Sequence, residues 1–198
     1  MEKAGGRPKL MQRPERRRAL MTAAAEAFAR RGFAATSLDD VAAQAGVSRV
    51  LIYRHFDSKA QLYEAVLDDV GAQLMAATGG PGQLGPGSLV ALLDVAQANP
   101  AGFRLFFRHA GQEPEFRDHA AWLRTAMTQT TEPHLRQMLP DHAKRRWAAQ
   151  LVPVAVVEAV IAWLDAGRPH PERAAATIGA MVMGLVDAIA KGGSWTES

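Results

Sequence analysis

Between Ser37 and Lys59 the chain gathers side chains able to bond a polyanion and to read its edges. Arg49, Tyr53, Arg54 and His55 fall within seven residues, with Ser37 and Ser48 before them and Lys59 after. Arginine presents a planar fork of N–H donors that fits phosphate oxygens and the O6/N7 edge of guanine. Serine, tyrosine, histidine and lysine bond phosphates without that fork. Ser37, with Asp40 three residues on, is a capping box that starts a short helix. Gly46 supplies a tight turn, and Ser48 stands where a second helix would be capped. A short helix, a glycine turn and a second, polar-faced helix describe a helix-turn-helix, whose second helix enters the major groove of DNA.

The elements that must carry this pair are legible on both sides. Residues 14–31 predict a helix: Pro14 suits a first turn, and Leu20, Ala24, Ala27 and Phe28 share one face. Gly32 stops it in a left-handed conformation, and Phe33 folds back. Leu38, Val41, Ala42 and Ala45 face inward from the first helix of the pair; Val47, Ile52 and Phe56 form the buried side of the second. Ser58 with Gln61 is another capping box. It opens a helix to about residue 77 with Leu62, Val66, Val70 and Leu74 on one face.

These residues resemble the DNA-binding domain of TetR-type (tetracycline-repressor-like) regulators. The resemblance covers residues 14–67, about a quarter of the chain. It rests on Ala24 and Phe28, Gly32-Phe33, Thr36-Ser37, Val41-Ala42, Ala45-Gly46-Val47-Ser48, Ile52-Tyr53, His55-Phe56, and Ser58-Lys59 with Leu62. It implies an all-α protein: a flexible basic arm at 1–13, a helix-turn-helix domain at 14–60, and a larger helical ligand-binding and dimerisation domain at 61–198. It assigns base contacts to Arg49, Val50 and Tyr53, and phosphate contacts to Ser37, Ser48, Arg54, His55 and Lys59. Val50 and Leu51 depart from the family pattern, where glycine and a small polar residue are frequent. Apolar side chains there suit thymine methyls but supply no hydrogen bonds.

Charge is divided in the same sense. Residues 1–60 hold 12 Lys+Arg against 6 Asp+Glu, and residues 61–198 hold 11 against 14. A basic end on a mildly acidic body suits a polyanion partner for the first third.

The remainder reads as helices separated by Gly and Pro, without strand alternation or internal repeats. The stretch 79–87 is a loop with five Gly and two Pro. It lacks the strand and the Lys-Ser/Thr of a phosphate-binding loop. Helices are expected at 88–98, at 100–109 behind an Asn99 cap, from Glu113-Pro114 with a kink or restart at Pro133, from Asp141 to about 166, and from Pro171 to Gly192. Phe103, Phe106, Phe107, Phe116, Trp122, Met127, Trp147 and Met181 serve equally as core or as the lining of a ligand cavity. His109, Arg104 and Arg124 are polar groups that could orient a ligand. A stripe of Leu151, Val154, Glu158, Ile161 and Asp165, flanked by Val157 and Leu164, and a second of Met181, Gly184, Leu185 and Ala188 suit a four-helix subunit contact, the family's usual arrangement.

Without cysteine the chain has no disulfide, thiol nucleophile or cysteine-ligated zinc, which suits a reducing cytoplasm. The basic start lacks an apolar stretch after it, so no signal peptide is expected. The apolar run 151–164 contains Pro153 and Glu158 and is too short to span a bilayer. The six histidines show no paired metal-ligand spacing, and adjacent Asp39-Asp40 and Asp68-Asp69 diverge on their helices. No cofactor is expected.

The sequence therefore describes a cytoplasmic homodimer that binds double-stranded operator DNA, a repressor released by a small apolar effector of unknown identity. The alternative is an all-α small-molecule-binding protein or enzyme with a degenerate DNA-binding head.

Overall fold

A computed structural model describes residues 13–79, 85 and 87–192, the side chains of residues 119 and 120 excepted. Apart from Arg13, the expected basic arm lies outside the described residues, as does most of the 79–87 loop. Among the described residues the ordered elements are all helical. They pack as two compact units, one ending at Val66 and the other starting at Leu67.

The first unit holds α1 (Arg13–Ala35), α2 (Leu38–Ala45), α3 (Arg49–Tyr53) and the start of α4 (Lys59–Thr78). Leu20, Ala24 and Phe28 of α1 are buried with Val41, Ile52, Phe56, Leu62 and Tyr63. Phe28 and Phe33 each meet the Tyr63 ring edge-on, with centroids 5.0 Å apart. Gly32 breaks the helical path at φ 75°, ψ 172°, so its φ is positive but its ψ is extended. The expected simple stop is instead a kink, and the chain takes a further turn to Ala35. The Thr36 hydroxyl, buried beneath the kink, donates to Gly32 O at 2.7 Å.

The capping box at α2 is complete. Asp40 N donates to Ser37 Oγ at 3.1 Å, and Ser37 N donates back to the Asp40 carboxylate at 2.9 Å. Gly46 ends α2 in the left-handed conformation at φ 64°, ψ 33°. Ser48 holds the N-cap position of α3, but its hydroxyl makes no capping bond. At the next junction Gln61 N donates to Ser58 Oγ, while Gln61 Oε1 accepts from Asp57 N rather than from Ser58.

The second unit continues α4 through the buried Leu67, Val70 and Leu74. It adds α5 (Ser88–Ala98), α6 (Pro100–Arg104), α7 (Arg117–His134), α8 (His142–Asp165) and α9 (Pro171–Lys191). Asn99 Oδ1 caps α6 by accepting from Gly102 N at 2.9 Å. Beyond Arg104 the backbone widens into a π-helical turn, Leu105–His109, followed by 3-10 turns at Ala110–Gln112 and Pro114–Phe116. The helix expected to reach residue 109 unbroken thus changes winding halfway. Pro133 neither kinks nor restarts its helix: it sits in the last turn of α7, which ends at His134. Arg145 fastens the link to α8 by donating from Nη1 to the carbonyls of Leu139 and Pro140.

By length and composition α8 and α9 are each apolar enough to cross a bilayer. The 151–164 run underestimates α8, which begins nine residues earlier at His142. The core of this unit accounts for much of α8, whose Ala148, Ala149, Val160 and Ile161 are fully buried. It accounts for less of α9, which leaves Met181, Met183 and Gly184 exposed.

Candidate nucleic-acid interface and ligand cavity

The two short helices put Asp39 at the start of α2 and Arg49 at the start of α3 within reach of one another. Arg49 Nη1 donates to Asp39 Oδ2 at 3.0 Å, and Nη2 donates to Tyr53 Oη at 3.1 Å. The guanidinium lies 5.5 Å from the centre of the Tyr53 ring. Tyr53's hydroxyl and Asp39's charge hold the proton on Arg49 still more firmly than usual. Val50 is 63% exposed and Tyr53 45%, while Ile52 in the same turn is fully buried. The outer face of α3 therefore presents a cation, a phenol and an aliphatic group.

The other polar residues of this stretch differ in how far they are committed. Ser37 Oγ also donates to Asp40 Oδ2 at 2.7 Å, so its hydroxyl serves the cap first. Those Ser37 bonds, then the charges of Arg31 and Arg30, hold the Asp40 carboxyl below its ordinary value. Lys59 Nζ donates to Phe33 O at 2.8 Å and lies 4.3 Å from the Phe33 ring centre. It thus ties α4 to the kinked end of α1, an anchoring use that its place in the sequence did not reveal. Arg54 is exposed and His55 partly buried. Burial, then the charges of Arg13, Arg16 and Arg17 on α1, push the His55 ring below its usual value. Arg17 itself lies 4.5 Å from the centre of the Phe56 ring.

In the second unit a cleft of about 700 Å³ opens between the π-helical turn, α7 and α8. Phe106, Phe107, Met127, Pro153, Val154 and Val157 supply apolar wall, and Arg124, Gln129, Gln150 and Glu158 supply polar groups. A second cleft, about 420 Å³, is walled by Leu67, Gly71, Ala72 and Met75 of α4 with Trp122. Phe106 borders both. Of the expected ligand residues, Phe106, Phe107 and Met127 meet at the first cleft and Trp122 at the second. Phe103 and Phe116 are fully buried core. Trp147 is 58% exposed and, like His109, lines neither cleft. Arg124 reaches the first cleft, whereas Arg104 donates to Asp165 at 2.8 Å. Arg108 bridges Asp165 and Glu158. The hydrogen bond and charge of Arg104, with those of Arg108, hold the Asp165 carboxyl low. Thr125, Thr128, Gln129 and Gln150 of the cleft were not foreseen, because nothing in helical spacing marks a polar residue as cavity-facing.

The α8 stripe needs correction. Ile161 is fully buried within the chain itself, and Val157 and Leu164 nearly so, which leaves none of them for an outer face. Leu151 packs against an internal cluster with Leu139, Val152 and Ile189. Val154 and Glu158 are exposed but border the first cleft, and Asp165 is held by the two arginines. On α9, Met181, Gly184 and Ala188 are exposed, with Leu185 partly turned into the cluster. A side chain built at Gly184 would meet nothing within 4 Å.

A capped helix-turn-helix with a polar outer face, carried on the same chain as a cleft-bearing helical body, defines a DNA-binding transcriptional regulator. Residues 20–66 match the family model of bacterial regulatory proteins of the tetR family. The chain is 33% identical over 181 residues to the HTH-type transcriptional activator FasR of Mycolicibacterium smegmatis, covering 84% of this chain and 81% of that protein. It is 50% identical over 56 residues to an HTH-type transcriptional repressor of Mycobacterium tuberculosis, covering 28% of this chain and 30% of the relative. A solved TetR-like regulator from Rhodococcus sp. RHA1 superposes with a TM-score of 0.66 at 22% identity, over 90% of this chain and 95% of that one. The chain belongs to the tetR family of transcriptional regulators.

Proposed function

We propose that the protein acts as a homodimeric repressor, with two copies of α3 in successive major grooves and an apolar effector in the body that releases them. The observation that carries the DNA-reading part is the outward face of α3, where Arg49, Val50 and Tyr53 are exposed beside a basic first unit. Arg49 is the guanine-reading group and Val50 the contact for a thymine methyl. Arg54 and His55 contact phosphates. Ser37 and Ser48 add phosphate contacts from helix starts, where backbone N–H groups favour an anion.

The effector occupies the 700 Å³ cleft, a volume suited to a small organic molecule. Its mostly aliphatic and aromatic wall favours an apolar body, and Arg124 and Glu158 at its edge fix a polar end. Release follows if the effector binds more tightly to subunits whose heads no longer match the groove spacing of roughly 34–36 Å. DNA-binding activity places the protein in the compartment that holds the DNA.

Three measurements test this. Deleting the gene and following transcripts from the DNA its product protects should raise them. A fall would make the protein an activator, as its long-range relative is named, while leaving DNA binding intact. Effector-saturated protein should release that DNA; equal affinity with and without effector would exclude the cleft as the control point. Arg49→Ala should lose about 1–3 kcal/mol of discrimination at one base pair and leave the others unchanged. Lys59→Ala should instead cost about 1 kcal/mol of thermal stability, because its ammonium bonds the α1 carbonyl end.

His55 gives the assignment a pH signature. The free head disfavours the imidazolium, so His55 is neutral at pH 7. Phosphates beside Arg13, Arg16 and Arg17 would offset their field and raise the ring's value in the complex. Binding then takes up a proton, and affinity rises as pH falls. His55→Gln should flatten that dependence in titrations at constant ionic strength.

A further inference from the structure

We propose that Asp39, although it lies on the first helix of the pair and carries the wrong charge for DNA, positions Arg49 for reading a single guanine. The inference rests on the assignment of Arg49 to a base edge. A guanidinium has five N–H donors in one plane, two on each terminal nitrogen. In the free head Asp39 takes one hydrogen from Nη1 and the Tyr53 hydroxyl takes one from Nη2. Each nitrogen keeps a second hydrogen, which leaves a two-pronged donor for two acceptors placed side by side. Guanine O6 and N7 are such a pair in the major groove.

The two partners approach from different elements, Asp39 from α2 and Tyr53 from one turn further along α3. A long, flexible side chain is thereby held at two points before DNA arrives. The Tyr53 ring under the guanidinium restrains it at a third. Both members of the ion pair are about half exposed or more, so in free solution the pair is weak. Against a base edge, with water displaced, the same pairing strengthens and its geometry selects the base. Asp39 also neutralises a side chain that would otherwise grip any nearby phosphate. It therefore trades general affinity for choice of base.

That trade gives effects of opposite sign, which a merely structural acid would not produce. The experiment selects binding sequences from a random DNA library with wild-type protein, Asp39→Ala, Asp39→Asn and Tyr53→Phe, and measures affinity for unselected DNA in parallel. Wild-type protein should prefer guanine at one position per half-site by a factor on the order of ten to a hundred. Asp39→Ala should cut that preference to a few-fold and bind unselected DNA as well as before or better, because a negative charge has left the contact face. Asp39→Asn, which keeps one acceptor, should fall between, and Tyr53→Phe should lose preference at the same position. Thermal melts of the variants separate these effects from loss of the fold. A guanine preference that stays or sharpens in Asp39→Ala would overturn the proposal, because Asp39 would then only occupy Arg49 until DNA displaces it. Absence of any guanine preference in wild-type selections would remove Arg49's assignment instead.

Discussion

Gly184→Arg is expected to leave the chain folded and to break the proposed dimer. Gly184 sits on the exposed face of α9, and a side chain built there meets nothing within 4 Å of its own chain. Within one subunit an arginine is tolerated, and it removes glycine's helix penalty of about 1 kcal/mol. Across a close contact between two copies of α9, as the proposed dimer would make, it has no room and brings two like charges near one another. Light scattering or sedimentation should show a monomer with an unchanged circular dichroism spectrum. Two heads on one dimer bind as a unit, and separate heads lose that effective concentration, so operator affinity should fall by a factor on the order of a hundred or more. A variant that remains dimeric would move the subunit contact off α9. Ala188 and Met181 extend the same exposed face.

The second large effect lies in the reading head. Phe28 is fully buried, stacks edge-on with Tyr63 and lies 6.1 Å from Phe33. Phe28→Ala should cost about 3–5 kcal/mol through lost burial and the cavity left behind. Small units have little stability to spare, so the head should melt while the body remains helical. Calorimetry would then show an early transition, accompanied by loss of DNA binding. Phe28→Leu, which fills most of the space, should lose only a fraction of this. A single unshifted transition in Phe28→Ala would show that the ring contributes nothing beyond its neighbours.

What the sequence revealed follows from how locally each feature is encoded. Ser37 with Asp40, Asn99 before Pro100, Asp141 and Pro171 announce helix starts within four residues, and those helices begin there. Gly46 announces its turn because a left-handed residue favours glycine. Features that depend on distant neighbours were not legible. Ile161 falls on the same spacing as Val154 and Glu158, yet it turns inward because α8 is covered along more of its circumference than a two-residue-wide stripe suggests. Trp147 suggested a cavity lining by size alone, yet it is largely exposed and lines neither cleft. In sequence Asp39 is only one of two adjacent carboxylates that diverge on their helix. Its bond to Arg49, ten residues on, depends on the angle at which the glycine turn sets the two helices.

The π-helical turn at Leu105–His109 has a consequence for how the chain tolerates changes in length. An α-helix advances 100° per residue, so one residue added or removed within it rotates everything beyond onto another face. A π turn already holds one residue more than the regular winding requires. Removing one residue there would tighten the turn into ordinary α-helix and leave Phe103 before it and Phe116 after it close to their present places in the core. Phe106 and Phe107 lie inside the wide turn, so they would absorb the rotation. The same five residues are thus where a one-residue deletion would reshape the cleft, at the cost of moving the buried Leu105 and Phe106.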